Sequence, residues 1–111
     1  MTTNKINLEV TLDDKNIPEK IIWNASDNPD GEKFSEVNAI NLALWDQHKK
    51  NTLRIDLWTK EMTVDEMKRF YVDCLGGMSQ TILNATGDEF MANEMNDLCE
   101  KFVEYIKKNA Q

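Results

Sequence analysis

Two periodicities divide this chain. Up to Trp58 apolar side chains recur every second residue, and from Thr63 onward they recur every third or fourth. Within the first part, Lys5 to Asp13 (KINLEVTLD) puts Ile6, Leu8, Val10 and Leu12 on one face and Asn7, Glu9 and Thr11 on the other, the cleanest strand pattern present. Asp14, Lys15 and Asn16 are turn-type residues. Ile17 to Ala25 then reads as a second strand whose Ile21, Trp23 and Ala25 share the apolar face of the first. Pro18 lacks a backbone donor and is expected at that strand's start or on an edge.

A second hairpin is predicted from Asn38 to Thr59 (NAINLALWDQHKKNTLRIDLWT), closed by the polar turn Gln47-His48-Lys49-Lys50. Pairing Asp46 with Asn51 sets Leu44 opposite Leu53, Leu42 opposite Ile55 and Ile40 opposite Leu57, an apolar face expected to be core. The same register places Ala39, Asn41, Ala43 and Trp45 beside Thr52, Arg54, Asp56 and Trp58 on the other face. Two large aromatics therefore share the side that ought to be wet. A helix from Ser35 to Lys50 also fits Val37, Ile40, Ala43 and Leu44. The β character of Thr52, Ile55 and Trp58 requires a partner strand, which favours the hairpin. Between the hairpins, Ser26 to Glu36 (SDNPDGEKFSE) has a turn-forming composition around Pro29-Asp30-Gly31 and is expected to be a mobile loop.

The change to helical spacing begins at Thr63-Val64-Asp65-Glu66, a capping-box signature whose acids also suit the positive end of a helix dipole. Met67, Phe70, Tyr71, Cys74, Leu75, Met78, Ile82 and Ala85 form its apolar stripe. Gly76-Gly77 interrupts the stripe at about 1 kcal/mol per glycine relative to alanine, which points to close packing or a kink. A second helix is predicted to start at Thr86, with Glu89 three residues on, and to run through Met91, Met95, Leu98, Cys99, Phe102, Val103 and Ile106 to near Asn109. The expected architecture is α+β in one domain over residues 1–111: a four-stranded antiparallel sheet of two hairpins, with two C-terminal helices packed on one sheet face. The other sheet face is then without an intrachain cover.

Charge narrows the choice of partners. A formal net charge of −7 opposes binding to nucleic acid or an anionic membrane, both of which need clustered Lys and Arg. The start MTTNKINLEV has no apolar core of signal-peptide length, and no apolar run approaches a membrane span, so a cytoplasmic chain without direct membrane insertion is expected. Asn24-Ala25-Ser26 and Asn84-Ala85-Thr86 then match the glycosylation pattern by chance. The two cysteines, Cys74 and Cys99, lie in apolar helical patterns without a CxxC spacing and read as buried thiols.

Candidate chemistry is sparse. His48 is the only histidine and sits in a turn beside two lysines, which suits neither a nucleophile triad nor a zinc site. Ser26 to Gly31 faintly resembles half a calcium loop, but Val37 stands where a bidentate Glu is required. Asp46 and Asp56 flank the second hairpin without converging, and Arg54 can pair with Asp56 along its strand. No glycine lies in a phosphate-loop pattern. Most of the six methionines fall on the helical stripes and read as core filling.

Several runs carry a family likeness. NTLRIDLWTKEMTVDEMKRFY (Asn51 to Tyr71), LALWD (Leu42 to Asp46), GGM (Gly76 to Met78) and NATGDEFM (Asn84 to Met91) resemble the gliding-motility GldC family, over nearly the whole chain and most densely from Leu42 to Met91. The resemblance implies a small cytoplasmic accessory protein of gliding bacteria, linked to a surface machinery that includes the lipoprotein GldB. It brings no catalytic or metal-binding residues with it. The order of four strands and two helices is also similar to the SecB export chaperone, a likeness of fold alone. The expectation is a noncatalytic protein without cofactors that works through protein contacts. Its candidate interaction face holds Trp45, Trp58, Ala43, Arg54 and Asp56, where a motility partner or a second copy forming a homodimer could dock. A SecB-like, export-assisting role is the alternative.

Overall fold

The structure, a computed structural model, describes residues 1–27 and 33–109. Their elements in chain order are β1 (Ile6–Leu12), β2 (Pro18–Ala25), β3 (Ser35–Val37), β4 (Ala39–Trp45), β5 (Thr52–Trp58), α1 (Val64–Thr86) and α2 (Glu89–Asn109). They fall into two compact units, Met1–Met62 with the strands and Thr63–Gln111 with the helices. The Pro29-Asp30-Gly31 turn and most of the calcium-like loop lie outside the described residues.

In the strand unit, β1 and β2 pair antiparallel with Val10 opposite Ile21, Leu8 opposite Trp23 and Ile6 opposite Ala25, as the alternation requires. Ile21 is fully buried and Ala25 nearly so. Pro18 opens β2 opposite Leu12, where the register slips between Thr11 and Leu12, so the missing donor falls at an irregularity of the ladder.

The single four-stranded sheet is not what forms. The described strands make two antiparallel sheets, one ordered β1-β2-β3 and one β4-β5. The correction lies in Ser35–Val37, which composition assigns to a loop and which pairs with the far edge of β2, Val37 against Ile21 and Ser35 against Trp23. From Ser35 to Trp45 the chain is extended apart from a bend at Asn38. Before the bend it bonds to β2, and after it to β5. Asn38 holds the change-over: its carbonyl accepts the Thr59 N–H at 2.9 Å, and its Oδ1 accepts the Thr59 hydroxyl at 3.3 Å. Thr59 is buried there.

The β4–β5 register is the expected one at every position, from Ala39 opposite Trp58 to Trp45 opposite Thr52. Its leucine face, expected to be core, is half open: Leu44 and Leu53 are each 51% exposed. A two-stranded ribbon cannot bury a face by itself.

The turn between β1 and β2 centres on Asp13, whose Oδ1 accepts the N–H groups of Lys15 at 2.8 Å and Ile17 at 3.0 Å. Asn16 takes the left-handed conformation there, φ 62°. The other carboxylate oxygen forms an ion pair with Lys60, just past β5, and so ties the three-stranded sheet to the end of the two-stranded one.

In the helical unit, α1 begins with the predicted capping box, the Thr63 hydroxyl accepting the Glu66 N–H and the Glu66 side chain accepting that of Thr63. It ends at Gly87, left-handed with φ 72°, whose N–H donates to the Leu83 carbonyl at 2.8 Å. Thr86, expected to cap α2, instead lies in the last turn of α1 with its hydroxyl donating to the Ile82 carbonyl. Asp88 caps α2, its Oδ1 accepting the Met91 N–H at 3.0 Å. The helices meet through small groups. The buried Ser79 hydroxyl donates to the Ala92 carbonyl at 2.7 Å, and a Cβ on Gly76 would sit 3.6 Å from Cys99 Sγ. That is ordinary van der Waals distance, so a Cβ would fit and the approach of α2 does not require glycine at Gly76. Cys74 and Cys99 are half-buried free thiols.

Nothing lies within 4 Å of a Cβ built on Gly77. Replacing it with alanine should therefore raise stability by about 0.5–1 kcal/mol through helix propensity, measured as a shift of the urea midpoint at constant slope. The Lys60 ammonium, and then the Ile17 and Lys15 N–H groups, hold the Asp13 carboxyl at about 2, below its ordinary 3.8. Because the folded value is the depressed one, the stabilisation is complete above pH 3.8 and is lost as pH falls through about 2. Urea titrations of wild type and Asp13→Asn should diverge at neutral pH and converge between pH 4 and pH 2.

Candidate functional site

The outer face of the β4–β5 ribbon is built by strand alternation. Ala39, Asn41, Ala43 and Trp45 of β4 lie beside Trp58, Asp56, Arg54 and Thr52 of β5. All five predicted interaction residues are therefore on one face. Trp45 and Trp58 are 66% and 52% exposed. Trp45 pairs with Thr52 next to the turn and Trp58 with Ala39 at the far end, so the indoles stand about 20 Å apart along the ribbon. They frame an extended strip, not a pocket.

The centre of the strip is polar. Arg54 Nη2 donates to Asp56 Oδ2 at 2.7 Å, the lateral pair expected from their spacing along one strand. Asp56 is the less exposed partner, and its Oδ1 is buried without a hydrogen-bond partner among the described residues. Sequence reading did not anticipate that orphan acceptor. Its only trace is Asn41 directly opposite, a polar residue in the middle of the ribbon. An acceptor shielded from water but unpaired favours a donor brought by another molecule.

Asp46 and Asp56 do not meet. Asp56 opposes Asn41, whereas Asp46 organises the turn: its Oδ2 accepts the N–H of His48 at 3.1 Å and of Lys49 at 2.6 Å, and its carbonyl accepts that of Lys50. Lys50 closes the turn with φ 56°. His48 is exposed there, and it is its backbone N–H that donates to Asp46. Among the described residues no three His, Cys, Asp or Glu side chains gather as a metal site, and no helix is long and apolar enough to cross a membrane.

Residues 18–108 match the family model described as gliding motility-associated protein GldC-like. No curated protein and no solved structure matches the chain.

Because the Asp46 carboxylate satisfies two turn donors that alanine cannot, Asp46→Ala should destabilise the chain by about 1 kcal/mol. Chemical denaturation checks the magnitude, and amide exchange at His48 and Lys49 should speed up more than exchange in α1 or α2.

Proposed function

The chain belongs to the gliding motility-associated GldC-like family, and from that premise we propose that it is a noncatalytic cytoplasmic accessory protein of the bacterial gliding machinery, acting through protein–protein contacts on the Trp45/Trp58 face. The observation that carries this reading is the pairing of two exposed indoles with a shielded, unpaired carboxylate oxygen on one ribbon face. Large aromatics around a partly desolvated charged pair are the residue types that dominate binding energy at protein interfaces. The strip is long and shallow, which suits a protein surface better than a small substrate. Its partner is a protein of the motility system, with the lipoprotein GldB engaged indirectly.

Both tryptophans are exposed, so Trp45→Arg with Trp58→Arg should change stability by no more than about 0.5 kcal/mol per site. Cells carrying the double variant at wild-type abundance should lose gliding, and the purified variant should lose its motility partner in pull-downs. Normal gliding together with undiminished partner capture would sink the reading. Suppression of client aggregation by wild type, lost in the variant, would instead favour the SecB-like, export-assisting alternative.

A further inference from the structure

We propose that the α1–α2 pair is the dimerisation element of this protein, and that a second copy of the chain covers its apolar face to make a four-helix bundle. The inference is independent of the Trp45/Trp58 strip, because every residue it uses lies in the helical unit. The helices run antiparallel, since Cys99 Sγ contacts the Val72 carbonyl and, two turns on in α1 and two turns back in α2, Ser79 bonds Ala92. These contacts define an inter-helix seam of small or polar groups that uses little of the apolar surface. At about 100° per residue, the α1 stripe through Tyr71 and Met78 lies roughly a quarter turn to one side of the seam. The α2 stripe through Met91, Leu98, Phe102 and Tyr105 lies a similar angle away, and because the helices are antiparallel both stripes fall on the same side. A shallow groove lined jointly by Lys68, Tyr71 and Val72 from α1 and Phe102, Tyr105 and Ile106 from α2 shows the two stripes adjoining.

This face is exposed: Met78 by 54%, Tyr105 by 58%, and Tyr71, Met91, Leu98 and Phe102 by 37% to 46%. Three features support a second copy as its cover. First, Tyr71 and Met78, and Met91, Leu98 and Tyr105, recur at seven-residue intervals. That period keeps the side chains in line along each helix, the arrangement that knobs-into-holes packing against other helices uses. Second, the exposed parts of these six side chains come to roughly 600 Å² per copy, so two apposed copies remove on the order of 1,200 Å², the lower bound of a specific interface. Third, the helical wheel keeps every acidic residue of both helices except Glu94 off the stripe, Asp65, Glu66 and Asp73 on α1 and Asp97, Glu100 and Glu104 on α2 among them, whereas Glu94 falls beside Met91 and Leu98. A chain of net charge −7 can therefore meet its copy there with one acid per copy, Glu94, at the contact and the other helical acids outside it. An isologous face of this kind closes as a two-fold dimer and does not propagate.

Sedimentation of the full chain at tens of micromolar should give twice the 12.9 kDa chain mass. Leu98→Glu, and separately Met78→Lys, should weaken the dimer by about a hundredfold, each placing a charge in the apolar contact, with far-UV circular dichroism unchanged. Trp45→Arg with Trp58→Arg should leave the dimer intact. A measurement without variants is oxidative footprinting of wild type. Oxidation of Met78 and Met91 should fall several-fold between dilute and concentrated protein, while Trp45 and Trp58 react equally at both. A monomeric wild type, a dimer that survives both helix substitutions, or methionine oxidation independent of concentration would overturn the inference. A dimer lost only in the tryptophan variant would place the contact on the ribbon instead and overturn it as well.

Discussion

An extended strand must place its backbone donors and acceptors against neighbours, and the run from Ser35 to Trp45 is divided along its length between two of them. Its first three residues close the ladder on β2, and its last seven close a ladder on β5. Asn38 is where one pairing stops and the other starts, and the two bonds to Thr59 keep backbone and side chain satisfied at the junction. The Trp45/Trp58 face comes from the second of these pairings, which sets β4 and β5 side by side.

Much of this was legible in the chain. Strand alternation set the β4–β5 register residue by residue, since a slip of one would have reversed every side chain. The capping box at Thr63 and Glu66 located the start of α1 because its two bonds depend only on local spacing. What escaped were features that depend on partners distant in sequence. Ser35–Val37 has no strand composition, and only the open edge of β2 makes it one. Thr86 and Asp88 are both cap-type residues, and the choice between them rests on Gly87 ending α1 in the left-handed region. The candidate face was legible in membership, whereas the shielded Asp56 oxygen was not, because burial of one atom depends on neighbours that period counting does not weigh.

The carboxylates of this acidic chain are not interchangeable solvating groups. Asp13 and Asp46 each close a hairpin turn by accepting two backbone N–H groups, and Asp88 caps a helix. Asp56 differs in having one oxygen committed to Arg54 and one uncommitted. Three of these four acids are absorbed by local architecture. The fourth keeps one shielded oxygen without a partner among the described residues, on the ribbon face that carries the two indoles.

The hairpins also bear on how the chain reaches this state. β1 with β2, β4 with β5, and α1 with α2 are each neighbours in sequence, so most contacts close short loops and their formation should be rapid. The Asp13–Lys60 ion pair closes a far longer loop, between elements that must first have formed separately. Closing that loop costs more chain entropy than closing either hairpin, so the contact is expected to form after them. Its absence would leave the folding rate unchanged and shorten the lifetime of the folded strand unit.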